Sequence, residues 1–277
     1  MQSKPEISVI ISTYNQPKWL TLVLHSYTLQ DFKNFEIIIA DDGSDNRTKL
    51  VIDNFLTTSG FSITHVWQED NGFQKTKILN KAIKASNAEY LIFTDGDCIA
   101  RKDFVATHFK LRKFNCALSG GYFKLTEGIS AMMTKAIITQ QLCFDKHWLL
   151  ANKQPKSFKL NKLTRSSFKS KLLNAITTTK ATFDGMNTSC YKQDIVAVNG
   201  FDERMQYGGE DREVGERMIN NGILFIQVRY SAICMHLHHS RPYKSDEAEY
   251  LNKQIRATTN NKNATWTAYG INKTNDA

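Results

Sequence analysis

Along the first hundred residues, short apolar runs alternate with longer stretches in which apolar residues return every three or four positions. The runs Ile7 to Thr13, Phe35 to Ala40, Ser62 to Trp67 and Tyr90 to Thr94 read as strands. The stretches 18–30, 45–56 and 73–85 carry helical spacing, clearest in Ile78, Leu79, Ala82 and Ile83. This alternation predicts an α/β fold: a mostly parallel central sheet with right-handed crossovers, flanked by helices. A further helix is expected over 103–114 and a further strand over 117–125.

From residue 129 to 180 the pattern turns helical and then basic, with Gln154-Pro155 as a break. A mixed unit follows, with a short strand at Cys190-Tyr191 and a helix from Asp194. Next come a loop around Gly208-Gly209, a helix over 211–221 and a strand-like run over 224–235. After about Asp246, Asn, Thr and Lys dominate, so order there should depend on docking. The expected segments are thus 1–125, a helical basic insert over 126–183, a second functional half over 184–245 and a tail over 246–277.

Composition narrows the class. At 277 residues, 41% hydrophobic and 23% charged, the chain can bury a full core as a soluble protein. No apolar run approaches the ~20 residues of a membrane span, and no signal-peptide core precedes the first strand. Five scattered cysteines without a CxxC pair read as reduced thiols of an intracellular protein. The formal charge of +9 is local. Nine of the 36 basic residues and none of the 27 acidic ones fall between Lys146 and Phe183, so the remainder is balanced.

In that segment the charges interleave with Trp148, Phe158, Phe168, Leu172 and Ile176. Two readings stand: a surface for an anionic membrane, with Lys156, Lys159, Lys162, Lys169 and Lys171 at the lipid, or an insert packing its apolar side on the core. No module for nucleic acid is apparent, so none is expected as a partner.

Candidate chemistry gathers where the apolar runs end. The fourth ends in Asp95-Gly96-Asp97, two hard oxygen ligands suited to a divalent cation that bridges to phosphates, although the same letters describe an ordinary loop. The first ends in Thr13-Tyr14-Asn15. The second ends in Asp41-Asp42-Gly43-Ser44, which offers acceptors to a base or ribose and equally reads as a turn with a helix cap. In an open parallel sheet these ends share one edge, where ligands bind. Neither GxGxxG nor GxxxxGK[ST] follows the first strand, which argues against dinucleotide oxidoreductases and P-loop enzymes.

The three loops, in this order over residues 6–115, resemble the nucleotide-binding half of family 2 glycosyltransferases, which have the GT-A fold. Gly185-Met186-Asn187-Thr188-Ser189, Asn199-Gly200-Phe201-Asp202-Glu203 and Gly208-Gly209-Glu210-Asp211 are similar to the carboxyl-terminal region of galactosyltransferase-like members. The resemblance implies a UDP-sugar donor contacted by Thr13, Tyr14, Asn15, Asp41 and Asp42, with Asp41 near the base. It implies further donor contacts from Asp70, Gly72, Phe73, Lys77, Asn80, Asp95 and Gly96. Mn2+ or Mg2+ would be held by Asp97, Asp95 and His236, with His238 and His239 as alternatives to His236. Asn187, Gly208 and Gly209 would face the acceptor, and Asp211, beside Glu210, would be the catalytic acid. Gly96 departs from the residue many members place between the two aspartates.

The chemistry has its own logic. Inverting sugar transfer needs one carboxylate to take the proton of the acceptor hydroxyl, and a helix N-terminus favours that anion. A helix-capping pair is the alternative reading of Glu210-Asp211, and a polar loop or a hydrogen-bonded core histidine is the alternative reading of His236-Leu237-His238-His239. The function expected is metal-dependent transfer of a hexose from a UDP-sugar to a glycan or glycolipid acceptor, of the bacterial lipopolysaccharide or capsule type. The protein would be cytoplasmic and peripheral on the inner face of the cell membrane. The alternative is a non-catalytic nucleotide-sugar-binding or basic adaptor protein on the same fold.

Overall fold

The computed structural model describes residues 4–239 and 245–273. Strands β1 (Ile7–Thr13), β2 (Phe35–Asp41), β3 (Ile63–Trp67) and β4 (Tyr90–Asp95) pair in parallel, connected through α1 (Pro17–Thr28), α2 (Asn46–Thr58) and α3 (Lys75–Ala85). All seven residues of β1 are buried, as a strand covered on both faces requires. Val9 and Ile11 point into one core with Leu20 and Val23 of α1, while Ile10 points into a second core with Ile78 and Ala82 of α3. The register pairs Thr13 with Asp41 and Ser12 with Asp95, so three strand ends lie level on one edge.

Downstream, two expected strands each come out as two. β5 (Cys98–Ala100) leads through α4 (Phe104–Leu111) to β6 (Cys116–Ser119) and β7 (Gly121–Lys124). The run over 117–125 breaks at Gly120, where a Cβ would collide with the Asn187 side chain. The run over 224–235 divides into β9 (Leu224–Gln227) and β10 (Ile233–His236), with β8 (Thr188–Tyr191) before them. The main sheet has the order β3-β2-β1-β4-β8-β6-β9, with β8 antiparallel to both neighbours, and a second sheet has the order β5-β10-β7. The second sheet carries β10 up to the same edge as Asp97, since Leu237 N donates to Asp97 O.

Between β7 and β8 lie α5 (Glu127–Met132), α6 (Lys135–Thr139), α7 (Lys146–Ala151) and α8 (Ser167–Ile176). Leu149 and Leu163 join the same core as β1, so part of the basic segment does pack inward. One expected lipid-facing lysine is corrected: Lys162 is buried, donates to Tyr122 O at 2.8 Å and lies over the Tyr122 ring.

α9 (Lys192–Ala197) and α10 (Glu210–Asn220) follow β8. The tail docks. α11 (Asp246–Asn261) pairs Arg256 with Glu216 of α10, and Ile271 enters the second core. All five cysteines are free and buried, and among the described residues no helix is long and apolar enough to cross a membrane.

Candidate active site

A cleft of about 640 Å3 opens where the strand ends meet the start of α10. Its lining includes Thr13, Tyr14, Asn15, Asp42, Gly72 and Phe73, together with Asp95, Gly96 and Asp97. Opposite stand Asp184, Gly185, Gly208, Gly209, Glu210 and Asp211. Phe73 meets Tyr207 edge-on at 5.8 Å, joining the two sides.

Asp95 ends β4 and accepts from Ser12 Oγ and Lys75 Nζ, both at 2.6 Å. Burial opposes the Lys75 charge, but Asp95, Glu210 and Asp211 outweigh it and hold the ammonium above the usual lysine range. One residue on, Gly96 N donates to Ser12 O at 2.7 Å, and a Cβ there would lie 3.0 Å from Thr13 Oγ1 and 3.1 Å from Ser12 O. The departure at Gly96 thus follows from the close approach of β1.

Asp97 Oδ2 lies 2.8 Å from His239 Nε2 and 3.9 Å from His236 Nε2. Burial works against the Asp97 charge, but the bond from His239 and both imidazoles bring its carboxyl to about 2. One ligand atom from each of Asp97, His236 and His239 lies within 4.8 Å of the others, and Asp95, Asp97 and Cys98 satisfy the same condition. A part-buried carboxylate with two imidazoles suits Mn2+ better than the all-oxygen preference of Mg2+. Cys98 adds nothing as a thiolate, because burial pushes its thiol well up. These residues fit a divalent cation. His238 is outside the cluster; its backbone N–H donates to Ser130 Oγ.

The Glu210–Asp211 pair is positioned by glycine. Gly208 and Gly209 have φ of +113° and +94°, which a side chain resists, and the turn delivers Glu210 and Asp211 to the first turn of α10. Asp211 Oδ2 accepts from Gly185 N at 3.1 Å. Glu210 accepts from Gly208 N at 2.9 Å; burial and the Asp211 charge push its carboxyl to about 7, with Lys75 pulling it back. Asp184 is pushed to about 6 by burial and by Asp211. Behind the turn, buried Asn252 of α11 donates to the carbonyls of Gln206, Tyr207 and Gly208 at 2.9–3.3 Å.

Several expected contacts are placed elsewhere. Asp41 is fully buried and bonded to His65 Nε2 and Ser44 N, both at 2.9 Å; its neighbour Asp42 faces the cleft, held by Gln68 and Gln74 N. Asp70 sits at the rim, taking the Tyr14 hydroxyl at 2.9 Å. Lys77 points to Gln74 Oε1 and is not on the cleft wall. Asn80 is buried between Phe201 N and O and positions the Asn-Gly-Phe-Asp loop. Asn187 is buried against Gly121 O, Ala232 O and His108, so it clamps the two sheets together. Lys75, Asp184 and Asn252 were not anticipated. Lys75 was findable, because with Ile78, Leu79 and Ala82 it completes one helical stripe, whereas Lys77 lies off it.

Comparison with known proteins agrees with this architecture. Residues 8–124 match the model for glycosyl transferase family 2, and residues 173–240 match the model described as the N-terminal domain of galactosyltransferase. A chondroitin synthase of Escherichia coli is 26% identical over 251 residues, 88% of this chain and 36% of that protein. The chain thus spans about a third of that relative's length. Among solved structures, TarS of S. aureus in complex with UDP-GlcNAc superposes with a TM-score of 0.63 at 17% identity, covering 91% of this chain and 66% of the other. The mannosyltransferase PcManGT of Pyrobaculum calidifontis, in complex with GDP-Man and Mn2+, gives 0.59 at 18% identity, covering 87% and 59%. The fold is GT-A, with a family 2 glycosyltransferase match over residues 8–124 and a galactosyltransferase-type match over residues 173–240.

Proposed function

We propose that this enzyme is an inverting, metal-dependent hexosyltransferase that uses a UDP-sugar and a hydroxyl of a surface glycan or glycolipid. The observation that carries this reading is the single cleft in which Asp97, His236 and His239 face the Glu210–Asp211 pair, with Lys75 between them. Asp211 takes the proton of the acceptor hydroxyl as that oxygen attacks the anomeric carbon; the bond to the diphosphate breaks and UDP leaves with the electron pair. Glu210, with its carboxyl near 7, can offer a proton to an acceptor hydroxyl and orient it. Lys75 holds Asp95 in place and supplies positive charge beside the leaving diphosphate. A bound Mn2+ would neutralise charge developing on that diphosphate. The UDP-GlcNAc complex of TarS supports the donor class, and the Mn2+ bound by PcManGT beside GDP-Man supports the metal.

The test is nucleoside diphosphate release from a panel of UDP-sugars and GDP-sugars with Mn2+, with EDTA, and with Mn2+ restored. One sugar should be turned over, the activity disappearing with EDTA and returning with Mn2+. Equal turnover in EDTA overturns the metal dependence, and turnover of GDP-sugars alone overturns the donor.

A further inference from the structure

α8 packs one face inward and leaves a separate apolar stripe exposed. Ser170 and Leu173 are buried, and Asn174 ties the helix to the β9–β10 loop through Ser231 Oγ at 3.0 Å and Tyr230 N at 2.9 Å. On the other side Phe168, Leu172 and Ile176 are 79%, 49% and 63% exposed. At about 100° per residue these three fall within a quarter of the helix circumference, with Lys169 at one border and Lys171 at the other. A second apolar finger, Phe158, is 69% exposed between exposed Lys156 and Lys159. Eight of the nine basic residues between Lys146 and Phe183 are exposed, the exception being Lys162, and no acidic residue interrupts them.

An exposed apolar stripe edged by lysines, in a field of one sign, is complementary to a surface that is anionic outside and apolar beneath. We propose that the outer face of α8, with Phe158, is a docking surface for an anionic phospholipid bilayer, with Phe168, Leu172 and Ile176 entering the headgroup boundary. The occupant is inferred from charge complementarity: lysines on both borders with no acid among them meet anionic headgroups, and the apolar stripe between them meets the acyl boundary beneath. The enzyme is then peripheral on the anionic leaflet and meets a lipid-borne acceptor there. Vesicle binding needs no substrate, so its outcome is independent of the transfer reaction proposed above.

The experiment is co-sedimentation of the full chain with phosphatidylcholine vesicles and with vesicles carrying phosphatidylglycerol, at low and high salt. Binding should require the anionic lipid and fall with salt. Lys169→Gln and Lys171→Gln should each weaken it about fivefold, and Phe168→Ser with Leu172→Ser by tenfold or more. Unfolding temperature should not fall, because none of these side chains packs in the core. Equal binding to neutral and anionic vesicles, or unchanged binding by the variants, would overturn the proposal. So would a concentration-dependent dimer that Phe168→Ser dissolves, since a second copy would then cover the stripe.

Discussion

Lys75→Met keeps the length of the side chain and removes the ammonium that Asp95, Glu210 and Asp211 share. A Cβ at Gly185 would lie 3.7 Å from Lys75 Nζ and 4.0 Å from Asp211 Oδ2, so the two charges are at most about 8 Å apart. At that distance and an effective dielectric of about 20, one unit charge is worth about 2 kcal/mol, or about 1.5 pH units. Lys75 and Asp95 are about one-fifth exposed (20% and 19%), and the cleft is open, so screening reduces the expected shift to about one unit. Its sign is fixed: a lost cation makes deprotonation of neighbouring carboxyls harder. The assay is kcat/KM for UDP release against pH, from about 5 to about 9. The acidic limb should move up by about one unit in Lys75→Met and stay in place in Lys75→Arg, and the alkaline plateau of Lys75→Met should lie below that of the parent because the charge beside the diphosphate is lost as well. An unmoved limb in a folded Lys75→Met protein would show that Lys75 does not govern the charge state of the acid pair.

Three further outcomes follow from the site. His239→Ala should weaken Mn2+ binding, measured by calorimetry, by roughly tenfold or more; unchanged affinity would remove His239 from the metal set. Asn252→Ala strips the donor from three loop carbonyls and should lower stability by about 1–3 kcal/mol while raising KM for acceptor and sparing UDP affinity; a loss of UDP binding instead would contradict its placement behind the acceptor turn. Glu210, raised to about 7 from 4.5, favours folding when neutral, so its contribution is full below 4.5 and is lost as pH rises through about 7. Glu210→Gln keeps an acceptor for Gly208 N and should flatten the fall in denaturant stability between about pH 5 and about 8; identical slopes in both proteins would count against the burial argument.

The elements legible in the sequence are those whose period is long enough to show. β1, β2 and β4 are buried on both faces and read as continuous apolar runs, and α3 carries three turns of a clear stripe. β6, β7, β9 and β10 have four residues each, too few to show where one sheet stops and another starts, so two runs were read as single strands. Strand ends located the cleft, but not which way neighbouring acids point: Asp41 turns to His65 while Asp42 turns to ligand space. Asn80 and Asn187 look like ligand contacts because a buried amide that satisfies backbone carries the same letter as one that binds a sugar. Asn252 was hidden by tertiary docking, although Ser245 followed by Asp246, Glu247 and Glu249 is a helix start that could have been read.

Asp211→Asn separates chemistry from binding more directly than any other change, since it keeps the size of the side chain and its bond from Gly185 N but removes the proton acceptor. The decisive measurement pairs kcat for transfer with calorimetric UDP affinity in the same protein. Turnover should fall by about 10²–10⁴-fold, with kcat and kcat/KM falling together, while UDP affinity stays within about twofold because Asp95, Asp97 and the histidines are untouched. Near-normal turnover, or a collapse of UDP affinity, would contradict the assignment of Asp211 as the base.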